Sequence, residues 1–306
     1  MRAMLKIKID AYETDILIGK LSPQKTDGRI FLNNNYLLLS IFLVKNIITF
    51  FGDFMNNNLI TIDNYSDTIG IFNMKDAINK NTFTEEFIEE MILKLNEVIE
   101  NKNFKAVIFK GLPDIFCAGA AKSELMKLFK GNLSVKDLVL SELILQIPVP
   151  TIAAMEGGAV GGGLVVGLCC DMIVMSERMM YGGGFTDLGF TPGMGFTRFL
   201  QSLVGEFIAN EMIFTGKLYK GRFFGQKSLV NYVLPKDEVM PKAIELAQII
   251  SEKPRGTTEI LKYSMNLKKR QLLQEARVHE DFMHKISFNQ PEVKNIIEKM
   301  YTSKLL

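Results

Sequence analysis

Residues 155–174 read MEGGAVGGGLVVGLCCDMIV, and the three consecutive glycines Gly161, Gly162 and Gly163 constrain the fold more than any other feature. They sit between an apolar segment ending at Met155 and a second apolar run, where something must approach the backbone too closely for any side chain. Small residues opening a helix leave backbone N–H groups without an acceptor of their own. Such groups suit an anion or a developing oxyanion. The segment DIFCAGAAKSELMKL repeats the arrangement. A short strand at 106–109 leads through a Gly and Pro turn into Phe116–Ala120 and then into an amphipathic helix. Taken singly, either turn reads as tight packing; together they can converge on one carbonyl oxygen.

The rest of the chain fixes the class. LITIDNY and TIGIFNM read as two strands joined by a turn. TFTEEFIEEMILKLNEVIEN follows as a helix, with Thr82 or Thr84 as its cap and Phe87, Ile88, Met91, Leu95 and Ile99 on one face. KAVIFKG, PVPTIAAMEG and CDMIVMSE are further strands, so the expectation is an α/β core built of ββα units. From Leu200 the pattern turns helical, over 205–215, 221–230, 238–252, 255–267 and 271–288. The boundaries expected are an N-terminal extension over 1–54, an α/β core over 55–195 and a C-terminal helical region over 196–306. The apolar run YLLLSIFLVKNIITFF at 36–51 is interrupted by Lys45 and Asn46 and falls short of the roughly 20 residues of a spanning helix. It also starts too late for a signal peptide. The extension is therefore read as lying outside the fold, with a peripheral membrane contact or a structural element as the other readings; no membrane partner is expected.

Charge and cysteine usage exclude several classes. Thirty-six Lys and Arg against 34 Asp and Glu leave +2, no general pull toward nucleic acid. The three cysteines, Cys117, Cys169 and Cys170, show no metal-type spacing. No metal site or disulfide framework is expected, and a reducing cytoplasm fits.

With those turns in place, residues 59 to about 300 resemble the crotonase (enoyl-CoA hydratase/isomerase) superfamily. INKNTFTEEF, FCAGA, IPVPTIAAMEGGAVGGGLVVGLCCD, LGFTPGMGFTRFL and LAQIISEKPRGTTEILK carry the resemblance in order and spacing. It implies a crotonase-like spiral of ββα units, forming a trimer or hexamer, with no cofactor beyond the phosphopantetheine that carries the substrate. It places the two thioester-binding amides at Ala120 and Gly162, with Ala118 and Gly161 beside them, and a basic carrier contact at Lys80. The glutamates of the family's hydratases fall on Val165 and Phe185, so the carboxylates that position water for hydration are missing. Asp187 is the nearest acid, two residues from the second position.

The apolar pair, GFTPGMG and ARVHEDFMH resemble the decarboxylating members found in polyketide β-branching cassettes. Those enzymes remove CO2 from a 3-methylglutaconyl group held on acyl carrier protein. The resemblance puts their essential histidine at His279. Their lysine falls on Ser134, with Lys136, or else Lys130, as the replacement. The expected function is thus decarboxylation of an acyl-carrier-protein or CoA thioester through a dienolate. The alternatives are an isomerase or hydratase using other residues, or a catalytically silent scaffold. Lys262, Lys268, Lys269 and Arg270 form the candidate patch for an acidic carrier protein.

Overall fold

A computed structural model describes residues 58–129 and 139–304. The extension expected over 1–54, and Lys130, Ser134 and Lys136, lie outside the described residues. From Asn58 onward the chain is one compact unit, so the core and the helical region expected to part near residue 195 belong to one body.

The main sheet has six strands in the order β1-β2-β4-β7-β9-β12. These are β1 (Ile60–Ser66), β2 (Ile69–Met74), β4 (Ala106–Lys110), β7 (Thr151–Met155), β9 (Met172–Ser176) and β12 (Tyr232–Leu234). All neighbours pair parallel except the β1–β2 hairpin. A second sheet, β11-β10-β8-β5, runs through β5 (Ile115–Cys117), β8 (Gly158–Val160), β10 (Met180–Gly182) and β11 (Tyr219–Lys220). A short parallel pair joins β3 (Thr82–Phe83) to β6 (Gly119–Ala120). Three times the chain leaves a main-sheet strand for one in the second sheet and then turns into a helix, which is the expected spiral of ββα units. The helices are α1 (Glu85–Glu100), α2 (Lys122–Phe129), α3 (Leu140–Gln146), α4 (Gly162–Cys169), α5 (Phe196–Val204) and α6 (Glu206–Thr215). They continue as α7 (Gly221–Gln226), α8 (Lys236–Ser251), α9 (Arg255–Met265), α10 (Leu267–Ser287) and α11 (Pro291–Lys304). Thr84 is the cap of α1, its hydroxyl accepting from the Phe87 amide at 3.2 Å.

The central strands are apolar throughout because both sheet faces are covered. Their period-2 alternation divides them between two cores. Val107, Phe109, Ala153, Met155, Ile173 and Met175 enter the main core. Ala106, Ile108, Ile152, Ala154 and Val174 face the other way, onto Val239, Ala243 and Ala247 of α8. Two alanines at i and i+4 let that helix lie close to the sheet, and each large aliphatic side chain so buried contributes about 1.5–3 kcal/mol. The C-terminal region is not purely helical: β12 closes the main sheet beside β9 and β11 closes the second beside β10. The helix expected over 221–230 therefore stops at Gln226. No helix among the described residues is long and apolar enough to cross a membrane.

Candidate active site

The two small-residue turns do converge. Gly119 lies at φ +81°, and a Cβ there would stand 2.5 Å from the Val160 carbonyl oxygen and 3.2 Å from the Gly162 nitrogen. A Cβ on Gly163 would stand 2.0 Å from the Cys117 carbonyl oxygen. Gly163 is thus required because the FCAGA turn crosses it backbone to backbone, while at Gly162 the Phe83 and Met194 side chains fill the space of a Cβ. Gly162 opens α4, so its amide precedes any carbonyl that the helix could offer it.

The FCAGA side is braced by an unusual turn. Lys80 and Asn81 are both left-handed, at φ +55° and +53°. The fully buried Asn81 side chain donates to the Phe116 carbonyl at 2.9 Å and the Met74 carbonyl at 3.1 Å, while its oxygen accepts from the Asp76 amide at 2.8 Å. The Cys117 thiol donates to the Asn81 carbonyl at 2.9 Å, and burial pushes that thiol up to about 12. It is a packing group rather than a nucleophile. Lys80 takes part through its backbone, its carbonyl accepting from the Ala118 amide at 3.2 Å. Its side chain is half-buried and is not in the cleft wall.

Between the turns lies a small open cleft of about 30 Å³, lined by Ala118, Ala120, Leu125, Val160, Gly161, Gly162, Gly183, Gly184, Phe185, Leu188 and Phe190. Of the expected site residues, Ala118, Ala120, Gly161, Gly162 and Phe185 are brought together here. Among the described lining residues none is ionisable. Val165 is a correction: it is fully buried in the main core and does not line the cleft, on a helix that is buried along its whole length. Asp187 is turned away as well, its carboxyl carbon 2.9 Å from where a Cβ on Gly216 would lie. The outer wall is aromatic. The Phe185 ring meets Phe190 and Phe196 edge-on at 5.8 and 4.9 Å, and Leu125, Leu188, Phe190 and Phe288 pack on Val293 and Ile297 of α11.

His279, the histidine expected at the site, does not line the cleft. On α10 the buried side runs Leu273, Ala276, Glu280, His284 and Ser287. His279 is on the exposed side with Val278 and Phe282. Five residues turn a helix by about 140° past a full revolution, so the two histidines cannot share a face. It is His284 that adjoins the cleft, its ring edge-on to Phe190 at 6.0 Å and to Phe288 at 5.4 Å. Its Nε2 donates to the Thr191 carbonyl at 2.5 Å, and its buried Nδ1 has no hydrogen-bond partner among the described residues. Burial holds the imidazole below its ordinary value, against the Thr191 and Pro192 carbonyls and Asp281, which favour the cation. The sequence reading did not place His284 at the site, because the face of α10 that carries it is the more polar one.

The carrier patch does not survive either. Lys262 is buried, its Nζ 2.8 Å from Asp171 and 2.7 Å from the Val149 carbonyl oxygen. Lys269 donates to the Leu168 and Cys170 carbonyls at 3.1 and 2.6 Å, and Arg270 folds onto Tyr263. Three of the four cations are occupied within the fold.

Comparison with known proteins agrees with this geometry. The enoyl-CoA hydratase/isomerase family model matches residues 64–305. The chain is 32% identical over 247 residues to the bacillaene synthase decarboxylase PksI of Bacillus subtilis, covering 81% of this chain and 99% of that protein. A solved structure from a dehydratase/decarboxylase enzyme couple of polyketide β-branching superposes with a TM-score of 0.77 at 32% identity, over 79% of this chain and 99% of the other. The ECH2 decarboxylase domain of CurF from Lyngbya majuscula gives 0.74 at 31% identity, with the same coverage. With its spiral of ββα units and its paired glycine turns, this chain is an enzyme of the enoyl-CoA hydratase/isomerase, or crotonase, family.

Proposed function

We propose that the enzyme decarboxylates a 3-methylglutaconyl-type thioester carried on the phosphopantetheine of an acyl carrier protein. The observation that carries this reading is a cleft with two convergent small-residue turns and an apolar wall, in which no described lining residue is an acid. Hydration needs carboxylates to hold and deprotonate water. Decarboxylation needs only somewhere for an electron pair to go. The bond between the distal carboxylate and its carbon breaks, CO2 leaves, and the pair delocalises through the enone onto the thioester oxygen. The amides of Ala120 and Gly162 receive that oxygen; one such donor is worth about 3–4 kcal/mol in the transition state. A proton then returns to carbon, giving a 3-methylcrotonyl-type thioester. His284 is the candidate source, one aromatic ring behind the cleft surface, and Phe185, Leu188 and Phe190 form the side of the cleft against which the departing carboxylate would lie. The names of the related decarboxylases support the same reaction.

Mass spectrometry of a loaded carrier protein tests it: the acyl group should lose the mass of CO2. Gain of water, or no change in mass, would sink the proposal. The assembly we propose is a trimer or hexamer. Phe207 and Phe214 on α6, at 89% and 75% exposure, and Val278 and Phe282 on α10, at 72% and 64%, would be covered by neighbouring copies. A monomeric mass by light scattering at micromolar concentration would refute it.

A further inference from the structure

Glu280 is fully buried, and among the described residues no cation lies within ion-pair distance of it. A buried carboxylate is costly unless its hydrogen bonds are met. Here they are met by one loop. Oε2 accepts from the Gly195 amide at 2.7 Å, and Oε1 accepts from the Thr197 amide at 3.0 Å and its hydroxyl at 2.8 Å. Gly195 opens α5 and provides no side-chain cap, so α10 supplies the cap from outside.

The residue next to that anchor touches the cleft machinery. Met194 is non-glycine yet left-handed, at φ +63°, followed by Gly195 at φ +92°. Strain of this kind persists only where the surroundings over-determine it. The surroundings are Glu280 on one side and, on the other, the buried Ser141 hydroxyl, which donates to the Met194 carbonyl at 2.8 Å. The outcome is a thioether pressed onto the glycine run. Met194 Sδ lies 2.9 Å from where a Gly162 Cβ would be, opposite the Phe83 ring at 2.6 Å.

We infer that Glu280 is a positioning residue for the Gly162 amide, acting through the strained Met194–Gly195 turn; this rests on the thioester reading of the cleft. With Met194 and Phe83 both packed where a Gly162 side chain would project, the first residue of α4 is held against movement toward them, so its amide keeps its aim as charge develops on the oxygen. Ser141 acts on the same turn from α3.

Steady-state kinetics on carrier-bound substrate decide the point, with Glu280→Gln, Ser141→Ala and the double variant compared with wild type. Glu280→Gln keeps the volume but replaces one of the two accepting oxygens by an NH2 group, which faces a loop N–H instead of accepting from it. A misplaced transition-state contact lowers kcat by about 10- to 100-fold, while KM stays within about twofold because ground-state binding uses the rest of the cleft. Ser141→Ala should give a smaller loss of the same kind. Because both act through one turn, the double variant should lose less than the product of the two single losses. Unchanged kcat with a lowered melting temperature would make Glu280 a merely structural cap and overturn the inference, as would losses that multiply. If Glu280→Gln does not fold, an unchanged kcat in Ser141→Ala overturns it alone. A wild type that hydrates or isomerises instead of decarboxylating refutes the proposed reaction, and the same comparison on that reaction still decides the role of Glu280.

Discussion

Replacing Lys262 by methionine separates a buried ion pair from its surroundings more cleanly than any other single change in this chain. The Lys262 side chain is 4% exposed and that of Asp171 19%, with 2.8 Å between Nζ and Oδ2. Burial alone would raise the Asp171 carboxyl; the Lys262 ammonium, with bonds from Lys262, Asn266 and Thr151, outweighs it and holds the group below the usual carboxylate range. Removing one partner of a buried pair costs about 3–5 kcal/mol. The low end applies here, because Asp171 keeps the Thr151 amide at 2.8 Å, the Thr151 hydroxyl at 3.0 Å and the Asn266 amide at 2.8 Å. At roughly 2–4 °C per kcal/mol for a domain of this size, a loss of about 3 kcal/mol lowers Tm by about 6–12 °C. Thermal melts at pH 7 measure it, and Asp171→Asn added to Lys262→Met should restore at least part of the loss by removing the orphaned charge. In the wild type the depressed carboxyl contributes stability above its unfolded value near 4, and that contribution is lost as pH falls through the lower folded value. In Lys262→Met the carboxyl has no counter-charge, so burial raises it, and its stability is lost as pH rises instead. The gap between the two proteins should therefore narrow from pH 7 toward pH 4.5. A drop below about 2 °C, or a gap indifferent to pH, would show that the pair is not the buried ion pair described.

Three further outcomes follow from the site. His284→Ala should lose about 10²–10⁴-fold in turnover, the range for a positioned acid or base, while the exposed His279→Ala stays near wild type; the reverse order would return the role to His279. Because burial holds His284 below its ordinary value, kcat/KM should rise as pH falls and level off only below about 6.5, so a profile already flat at pH 7 would exclude this group as the acid in the free enzyme. Gly163→Ala has only backbone to displace and should cost at least about 3 kcal/mol, whereas Val165→Glu should destabilise the core without creating hydration; a stable, hydrating Val165→Glu protein would show that position 165 does reach the cleft.

The parts of this molecule legible in the sequence are those whose cause is local. Three glycines in a row declare a close approach whatever makes it, and the continuous apolar runs in KAVIFKG and PVPTIAAM mark strands covered on both faces. The choice between His279 and His284 was not local. The face of α10 turned inward carries Glu280, His284 and Ser287, whereas Val278, Phe282 and Ile286 are exposed. Its amphipathicity is inverted over that stretch, so a rule that buries the apolar side turns His279 inward, whereas it is His284 that is buried. Lys262 misled for a related reason. A lysine in ILKYSM reads as a surface cation, because lysine is almost never fully buried unless paired, and its partner lies 91 residues earlier in sequence. Strand β12 was lost among helices because three residues, YVL, are too few to show a period.

That inversion points to how the site is held. Helix α10 meets both ends of α4. Lys269 donates to the carbonyls of Leu168 and Cys170 at the C-terminal end, where a cation also complements the helix dipole. Glu280 reaches the N-terminal end through the turn that sets Met194 on Gly162. Eleven residues separate the two contacts, about 16 Å of helical rise, against about 12 Å for the eight residues of α4. The polar inward face of α10 is therefore the face that grips, and its hydrogen bonds are specific in a way that an apolar stripe would not be. Apolar contacts tolerate sliding, because dispersion depends little on register; a carboxylate bonded to two adjacent amides does not. The same helix carries His284 one turn beyond Glu280, bonded to the Thr191 carbonyl. The amide proposed to receive the negative charge and the imidazole proposed to return the proton are thus referred to one rigid element. The proposed reaction, which moves charge from a carboxylate to a thioester oxygen and then protonates carbon, gains most from fixing those two groups relative to each other.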